Sequence, residues 1–319
     1  MQAQRIGLTA AMAAGVAWGA MFPILGNLLH VFDPFWLTSI RYIGASIVLL
    51  ALLLAFEGPT AFRLEGRGVL LAVAGTAGIA VFNVFVLSGM RATGPEHGGL
   101  IVATGPLFTT FILWARKGIK PANITLGMVA LALIGVALVV TKGNFQVLFH
   151  GGSGLGDAMI ALGVFGVSYY TAVSGEFRHW SWLRFTTITL GFGTIATLVF
   201  SAIATMFGIA HPPSAPIGTM AIAGMLYMIF IGAVFAFATW NVAVAKIGAQ
   251  SAALFMNAVP IVTFAIELLI GRRFLPIEYA GAALTIVALV INNIATRQRL
   301  AAEPKLQHVI AESGPRAVA

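Results

Sequence analysis

Ten stretches of the chain are apolar over about twenty residues, the length of α-helix that crosses a hydrocarbon core roughly 30 Å thick. They run from 7 to 29, 34 to 56, 68 to 90, 97 to 115, 122 to 141, 155 to 175, 185 to 210, 217 to 245, 247 to 270 and 277 to 296. The region from Trp240 to Asn292 can be laid over an earlier part of the same chain almost without gaps. Gly248, Pro260 and Gly281 fall on Gly94, Pro106 and Gly127 at a constant offset of 154 residues. Both copies place a proline near the middle of an apolar run, then a short loop with positive residues, then a second apolar run. The loop residues are Arg116, Lys117 and Lys120 in one copy and Arg272 and Arg273 in the other. This pattern predicts an all-α integral membrane protein of ten transmembrane helices made from two repeats, with its pathway where they meet. The repeats occupy 1–142 and 155–296, a loop at 143–154 connects them, and 297–319 is read as a disordered cytoplasmic tail.

Composition agrees with the pattern: 59% of the residues are hydrophobic, 9% are charged, and the mean hydropathy is +0.96. The net charge of +8 raises the question of nucleic acid, but its placement answers it. With the N-terminus inside, thirteen Lys and Arg fall in inner loops and tails against four outside (Arg91, Lys142, Arg272 and Arg273), Arg41 being set within the membrane. That bias is the positive-inside rule, so the basic balance reflects topology in a bacterial-type inner membrane with both termini cytoplasmic. There are no cysteines, which excludes disulfides and thiolate sites. Six His at 30, 97, 150, 179, 211 and 308 and two Asp at 33 and 157 are scattered, which disfavours metal-assisted chemistry on lipid-linked substrates. No P-loop is present and no cofactor is expected. The partners expected are a small-molecule substrate and the bilayer, with no nucleic acid and no obligate protein partner.

Candidate site residues follow from what is unusual at mid-depth. Pro106 and Pro260 remove a backbone donor and open their helices, which is tolerated only against protein or a cavity. Asn257, Pro260, Phe264 and Glu267 share one face of the ninth helix at i, i+3, i+7 and i+10. Asn83 sits mid-membrane in the third helix and needs a hydrogen-bond partner, on a neighbouring helix or in a cavity. The expected cavity wall is Trp18, Asn83, Pro106, Trp114, Tyr169, Asn257, Pro260 and Phe264. Arg41 and Glu267 are candidates for charge or proton coupling. Their plainer readings are a snorkelling arginine or one paired near Asp33, and a glutamate reaching the interface or paired with Arg272. Glu96 and His97 read as an interfacial cluster. Gly15 and Gly19, with a weaker echo at Gly163 and Gly166, form small faces for close helix approach. The few residues before Asp33-Pro34 predict that helices one and two are antiparallel neighbours.

Over essentially its whole length the chain resembles the EamA family of the drug/metabolite transporter superfamily. The resemblance rests on Trp18-Gly19, Pro34 followed by Arg41-Tyr42, Trp240-Asn241 running into Gly248, and the two Pro-x20-Gly blocks from Pro106 to Gly127 and Pro260 to Gly281. It implies two inverted five-helix repeats around a central cavity, alternating access without ATP, and export or exchange of amino acids or related metabolites. An uptake carrier, a passive channel and, more distantly, an intramembrane lipid-processing enzyme are the alternatives. One departure stands out: where family members carry Gly-Glu at the outer end of helix nine, here Gly271 precedes Arg272-Arg273 and the carboxyl is at Glu267.

Overall fold

The structure is a computed structural model that describes residues 2–102, 104–118, 120–144, 153–177, 179–213, 217–248, 251–252 and 254–302. Regular structure among the described residues is entirely helical. In chain order the helices are α1 (Gln2–Leu28), α2 (Pro34–Phe56), α3 (Gly68–Thr93), α4 (Pro95–Val102) and α5 (Gly105–Lys117). There follow α6 (Asn123–Thr141), α7 (Ser153–Ser174), α8 (Trp182–Met206), α9 (Thr219–Ile247), α10 (Ala258–Leu269) and α11 (Pro276–Ala302). Seven described stretches are long and apolar enough to cross a membrane, α4 and α5 together supplying one of them from His97 to Arg116. The other three expected crossings fall on shorter apolar helices, Asn123–Val139, Ala258–Leu269 and Pro276–Asn292. The connecting segment from 145 to 152 and the tail from 303 onward lie outside the described residues.

Local chemistry sets the boundaries. Asp33 caps α2, its carboxylate accepting from the Phe35 N–H at 3.0 Å, and Pro34 occupies the first turn, where its missing donor costs nothing. Gly94 and Gly248 end α3 and α9 at φ +115° and +83°, a backbone that side-chain-bearing residues rarely adopt. These are two of the residues that match at the 154 offset, and the same register governs what happens inside the helices. α3 widens into a π-helical segment over Thr76–Val81 and α9 over Met228–Phe235, so that both end at matching positions, Val81 and Phe235. The fourth span breaks between Val102 and Gly105. Its counterpart enters α10 through the tight 3-10 turn Leu254–Asn257.

The strongest packing joins the two halves of the chain to each other. α1 lies along α9 and α10, α2 along α8, α3 along α7 and α8, α5 along α7, and α6 along α11. Glycines make these approaches possible. A Cβ on Gly15 would stand 2.8 Å from the Phe255 carbonyl and one on Gly19 2.9 Å from that of Val259, both leading into α10. On Gly163 and Gly166 it would stand 2.8 and 2.4 Å from the carbonyls of Phe82 and Ala77 of α3. The expectation that helices one and two are neighbours is corrected. Each finds its main packing partner in the other half and the π-helical segment of α9 packs against both, the two touching through Met21 and Arg41.

Pro23 shows how a broken backbone is repaired. In α1 it cannot donate to the carbonyl four residues earlier, Gly19. The Thr263 hydroxyl of α10 hydrogen-bonds to that oxygen at 3.0 Å. Side chains also bond to carbonyls of the π-helical segments, where Trp18 Nε1 donates to Gly232 O at 3.1 Å and Asn83 Nδ2 donates to Ile79 O at 2.7 Å.

Candidate functional site

Midway through the bundle, Trp18 from α1 meets Phe237 and Trp240 from α9, with ring centroids 5.4 Å away in both cases. Beside them is an apolar void of about 20 Å³, bounded by Trp18, Met21, Phe22, Phe82, Val102, Val167, Phe237 and Met256. It has room for one water-sized sphere. Phe237 links two polar clusters, its ring 6.4 Å from Tyr42 and 5.9 Å from Tyr170.

The first cluster is built on Arg41, 1% exposed in α2. Its guanidinium donates to Tyr42 Oη and Asn83 Oδ1 and lies 4.3 Å from the centre of the Tyr42 ring. Nη1 faces two thioethers, Met21 Sδ at 3.6 Å and Met228 Sδ at 3.9 Å, and Nε has no acceptor. Asn83 completes the cluster by donating to Tyr42 Oη at 2.8 Å. Pairing of Arg41 near Asp33 is therefore corrected: Asp33 caps α2 and binds Arg91 at 3.1 Å. The second cluster centres on Asn241, whose amide accepts from Ser174 Oγ at 2.9 Å and donates to Tyr170 Oη at 2.9 Å and Thr186 Oγ1 at 2.7 Å.

The two ends of the bundle differ. At one end Glu176, in the turn after α7, binds Arg116 of α5 at 2.7 Å and Arg67 at the start of α3 at 3.1 Å. Arg116 also reaches Tyr169 Oη at 3.3 Å, and Arg67 lies 4.1 Å from the Phe177 ring centre. Nearby, Glu65 accepts from Arg184 at 2.7 Å and from Trp180 Nε1 at 3.0 Å. The Trp180 hydrogen bond leads in holding the Glu65 carboxyl below the usual carboxylate range, with Arg184 assisting. These contacts fasten the first half of the chain to the second. At the other end a cavity of about 570 Å³ is lined by Asn27, His30, Arg91, Glu267 and Arg272, among others. Glu267, 3% exposed, lies 3.7 Å from Arg272, so its paired reading is met. His97 is 3% exposed and binds Asp157 of α7 at 3.0 Å, a buried contact between halves rather than the interfacial cluster expected of it.

The sequence-derived candidates thus separate. Trp18 and Asn83 reach the middle, and Pro260 is buried at the start of α10. Tyr169 belongs to the Glu176 end. Phe264 stacks on Phe274 at 4.8 Å towards the Glu267 end. Trp114 is 42% exposed. The side chains of Glu96, Pro106 and Asn257 lie outside the described residues. Sequence reasoning missed Tyr170 in favour of its neighbour Tyr169, and it missed Glu176 altogether. The available signal for Glu176 was a carboxylate at a span end while cations stood at the ends of two other spans.

A helical bundle with apolar spans, a buried polar cluster in each half and a cavity at one end is the architecture of a multi-pass membrane protein. The sequence model of the EamA-like transporter family matches residues 5–141 and again 154–294, and the chain belongs to that family. It is 33% identical over 297 residues to the uncharacterized transporter YrdR of Bacillus subtilis, covering 92% of each chain. It is 24% identical over 294 residues to a probable terminal-alkyne amino-acid exporter of Streptantibioticus cattleyicolor, covering 91% of this chain and 94% of that one. A solved crystal structure at 20% identity superposes with a TM-score of 0.67 over 93% of this chain and 98% of the other, a likeness of fold. The protein is a transporter and not an enzyme.

Proposed function

We propose that the protein is a secondary transporter that moves small organic metabolites, amino acids or related compounds, out of the cell across the inner membrane by alternating access. It does so with ten membrane crossings arranged as two inverted five-helix repeats, both termini being cytoplasmic. The carrying observation is the pair of unlike ends, one held by ion pairs between the halves and the other opening into a cavity. A carrier caught in one state of its cycle has this form. Support for the repeats comes from the contacts. If helix n of the first five corresponds to helix n+5 of the second, the packing of α1 on α9 has its counterpart in α7 on α3, and that of α1 on α10 in α7 on α5. The pairs α2 with α8 and α6 with α11 are then their own counterparts. An odd number of crossings per repeat inverts the second copy. The charge bias supports a topology with the Glu176 end inside and the Glu267 end outside. The name of the Streptantibioticus relative supports amino-acid-like cargo and export.

Within this reading Trp18, Asn83, Pro106, Asn257 and Pro260 line the pathway. Tyr169 stands at the inner gate and Phe264 at the outer vestibule. Glu267 and Arg41 are its charge-handling groups, and Trp114 is peripheral. Proteoliposomes loaded with a mixture of amino acids and small metabolites test it. Saturable, protein-dependent loss of a few compounds is expected, and a pH gradient that changes the loss in wild type but not in Glu267→Gln assigns coupling to that carboxyl. Flux that rises without saturation makes the protein a channel, and accumulation against the expected direction makes it an uptake carrier.

A further inference from the structure

Two hydrogen-bond donors buried in the middle of the molecule have no acceptor: Arg41 Nε and Trp240 Nε1. Both side chains are 1% exposed: Trp240 packs on the Trp18 ring that walls the void, and Arg41 reaches Met21, which walls it too. Arg41 is the more telling. All of its partners are neutral, and two of them are thioether sulfurs, weak acceptors that hold a guanidinium poorly. A charge buried in a membrane span is ordinarily matched by a counter-ion. Here the position beside it is filled by methionine, an unbranched and readily displaced side chain. Met21 both touches Arg41 and walls the void, so a rotation of that one side chain connects the guanidinium to the cavity.

We infer that the middle of the pathway is an anion subsite in which Arg41 binds a carboxylate of the cargo after Met21 and Met228 move aside. Trp240 Nε1 adds a neutral donor, and Trp18, Phe22, Phe82 and Phe237 hold an apolar body. The cargo class is therefore a small organic carboxylate with an apolar or aromatic part, whether or not it also carries an amine. A guanidinium meets a carboxylate with two parallel N–H···O bonds, which an amide of the same shape cannot reproduce. The inference names the cargo class of the carrier proposed above and rests on that reading.

The test uses the full-length protein in nanodiscs and in proteoliposomes, with phenylacetate and indole-3-acetate compared against their amides. Binding is read by thermal stabilisation and transport by inhibition of exchange. In the wild type each carboxylate is expected to bind about ten- to a hundredfold more tightly than its amide. Arg41→Met, apolar and of similar length, should erase that preference. Arg41→Lys should restore part of it. If the Met variant does not fold, Arg41→Lys and Trp240→Phe still read the preference. Equal binding of acid and amide, no binding of either acid, or a preference untouched by both Arg41 substitutions overturns the inference. Selective carboxylate binding without flux of any compound would sink the carrier reading and leave the subsite standing. Saturable flux without carboxylate preference would do the reverse.

Discussion

Glu176→Gln is the most informative single change at the closed end. The Glu176 side chain is 11% exposed, and its partners Arg67 and Arg116 are 22% and 30% exposed. A fully buried pair broken on one side costs about 3–5 kcal/mol and an exposed one about 0.2–1. This half-shielded pair of contacts is worth roughly 1 kcal/mol each, about 2 in total. Glutamine keeps the shape and one acceptor but loses the charge, so the closed end should open about thirtyfold more often. The absence of cysteine makes the measurement direct. Ser168 of α7 is 2% exposed and donates to Gly105 O at 3.1 Å, roughly 12 Å along the helix from Glu176. In Ser168→Cys, labelling by a membrane-impermeant maleimide from the Glu176 side, using inside-out vesicles, reports opening. The background carrying Glu176→Gln should label about thirtyfold faster. Glu278→Gln, which disturbs the contact with Lys142 at the opposite end, should not. Labelling that stays within about twofold in Glu176→Gln would mean that these ion pairs do not hold the end shut.

Three further outcomes are expected. Gly166→Ala and Gly75→Ala put a Cβ 2.4 Å from Ala77 O and 2.2 Å from Thr189 O, backbone atoms that cannot step aside. Each should cost about 1–3 kcal/mol in thermal unfolding, whereas Gly191→Ala, with nothing within 4 Å, should be neutral or slightly stabilising. Because the Glu65 carboxyl is held below its ordinary range, its contribution is complete above that range and disappears as pH falls through the lowered value. The protection factors of the amides in residues 57–67, corrected for the intrinsic pH dependence of exchange, should therefore be flat from neutral pH to about 5 and fall below about 4, with Trp180→Phe moving the onset to higher pH. Finally, Asp157 Oδ2 is already without a partner, so removal of His97 leaves the whole carboxylate unmatched. A double-mutant cycle of His97→Ala and Asp157→Ala should give an interaction energy above about 1 kcal/mol, and additive effects would refute the contact.

Much of the architecture was legible because membrane helices declare themselves by length and apolarity, and because the chain repeats itself. The 154-residue register paired Gly94 with Gly248 and Pro106 with Pro260 before any coordinates, though that both glycines end helices was not read from it. What escaped was whatever depends on a partner far along the chain. Arg41 and Asp33 are eight positions apart and look like a pair, but the carboxylate was claimed by its own cap and by Arg91, 58 residues away. His97 and Asp157 are 60 residues apart, and nothing local links them. Tyr169 and Tyr170 are adjacent, yet one residue is about 100° of helix rotation, which sends the first to the gate and the second into the Asn241 cluster. The π-helical segments carry no signature in composition and emerge only from packing.

Those irregular places coincide with where a carrier has to yield. Each half finds its main packing partners in the other, so neither can change position without sliding along glycine faces in which backbone meets backbone. A continuous α-helix resists such movement, because bending it breaks its own ladder of hydrogen bonds. Here side chains from elsewhere share the helix carbonyls at mid-depth: Gly19 O, opposite Pro23, and Ile79 O and Gly232 O in the π-helical segments bond to Thr263, Asn83 and Trp18 side chains. A side chain releases a carbonyl by rotating about one bond, whereas a helix must unwind to do so. Two of these three partners, Trp18 and Asn83, also face the void or the Arg41 cluster. On the carrier reading proposed above, cargo that displaces them loosens the helices around it and so couples occupancy of the middle to movement of the halves through local bonds.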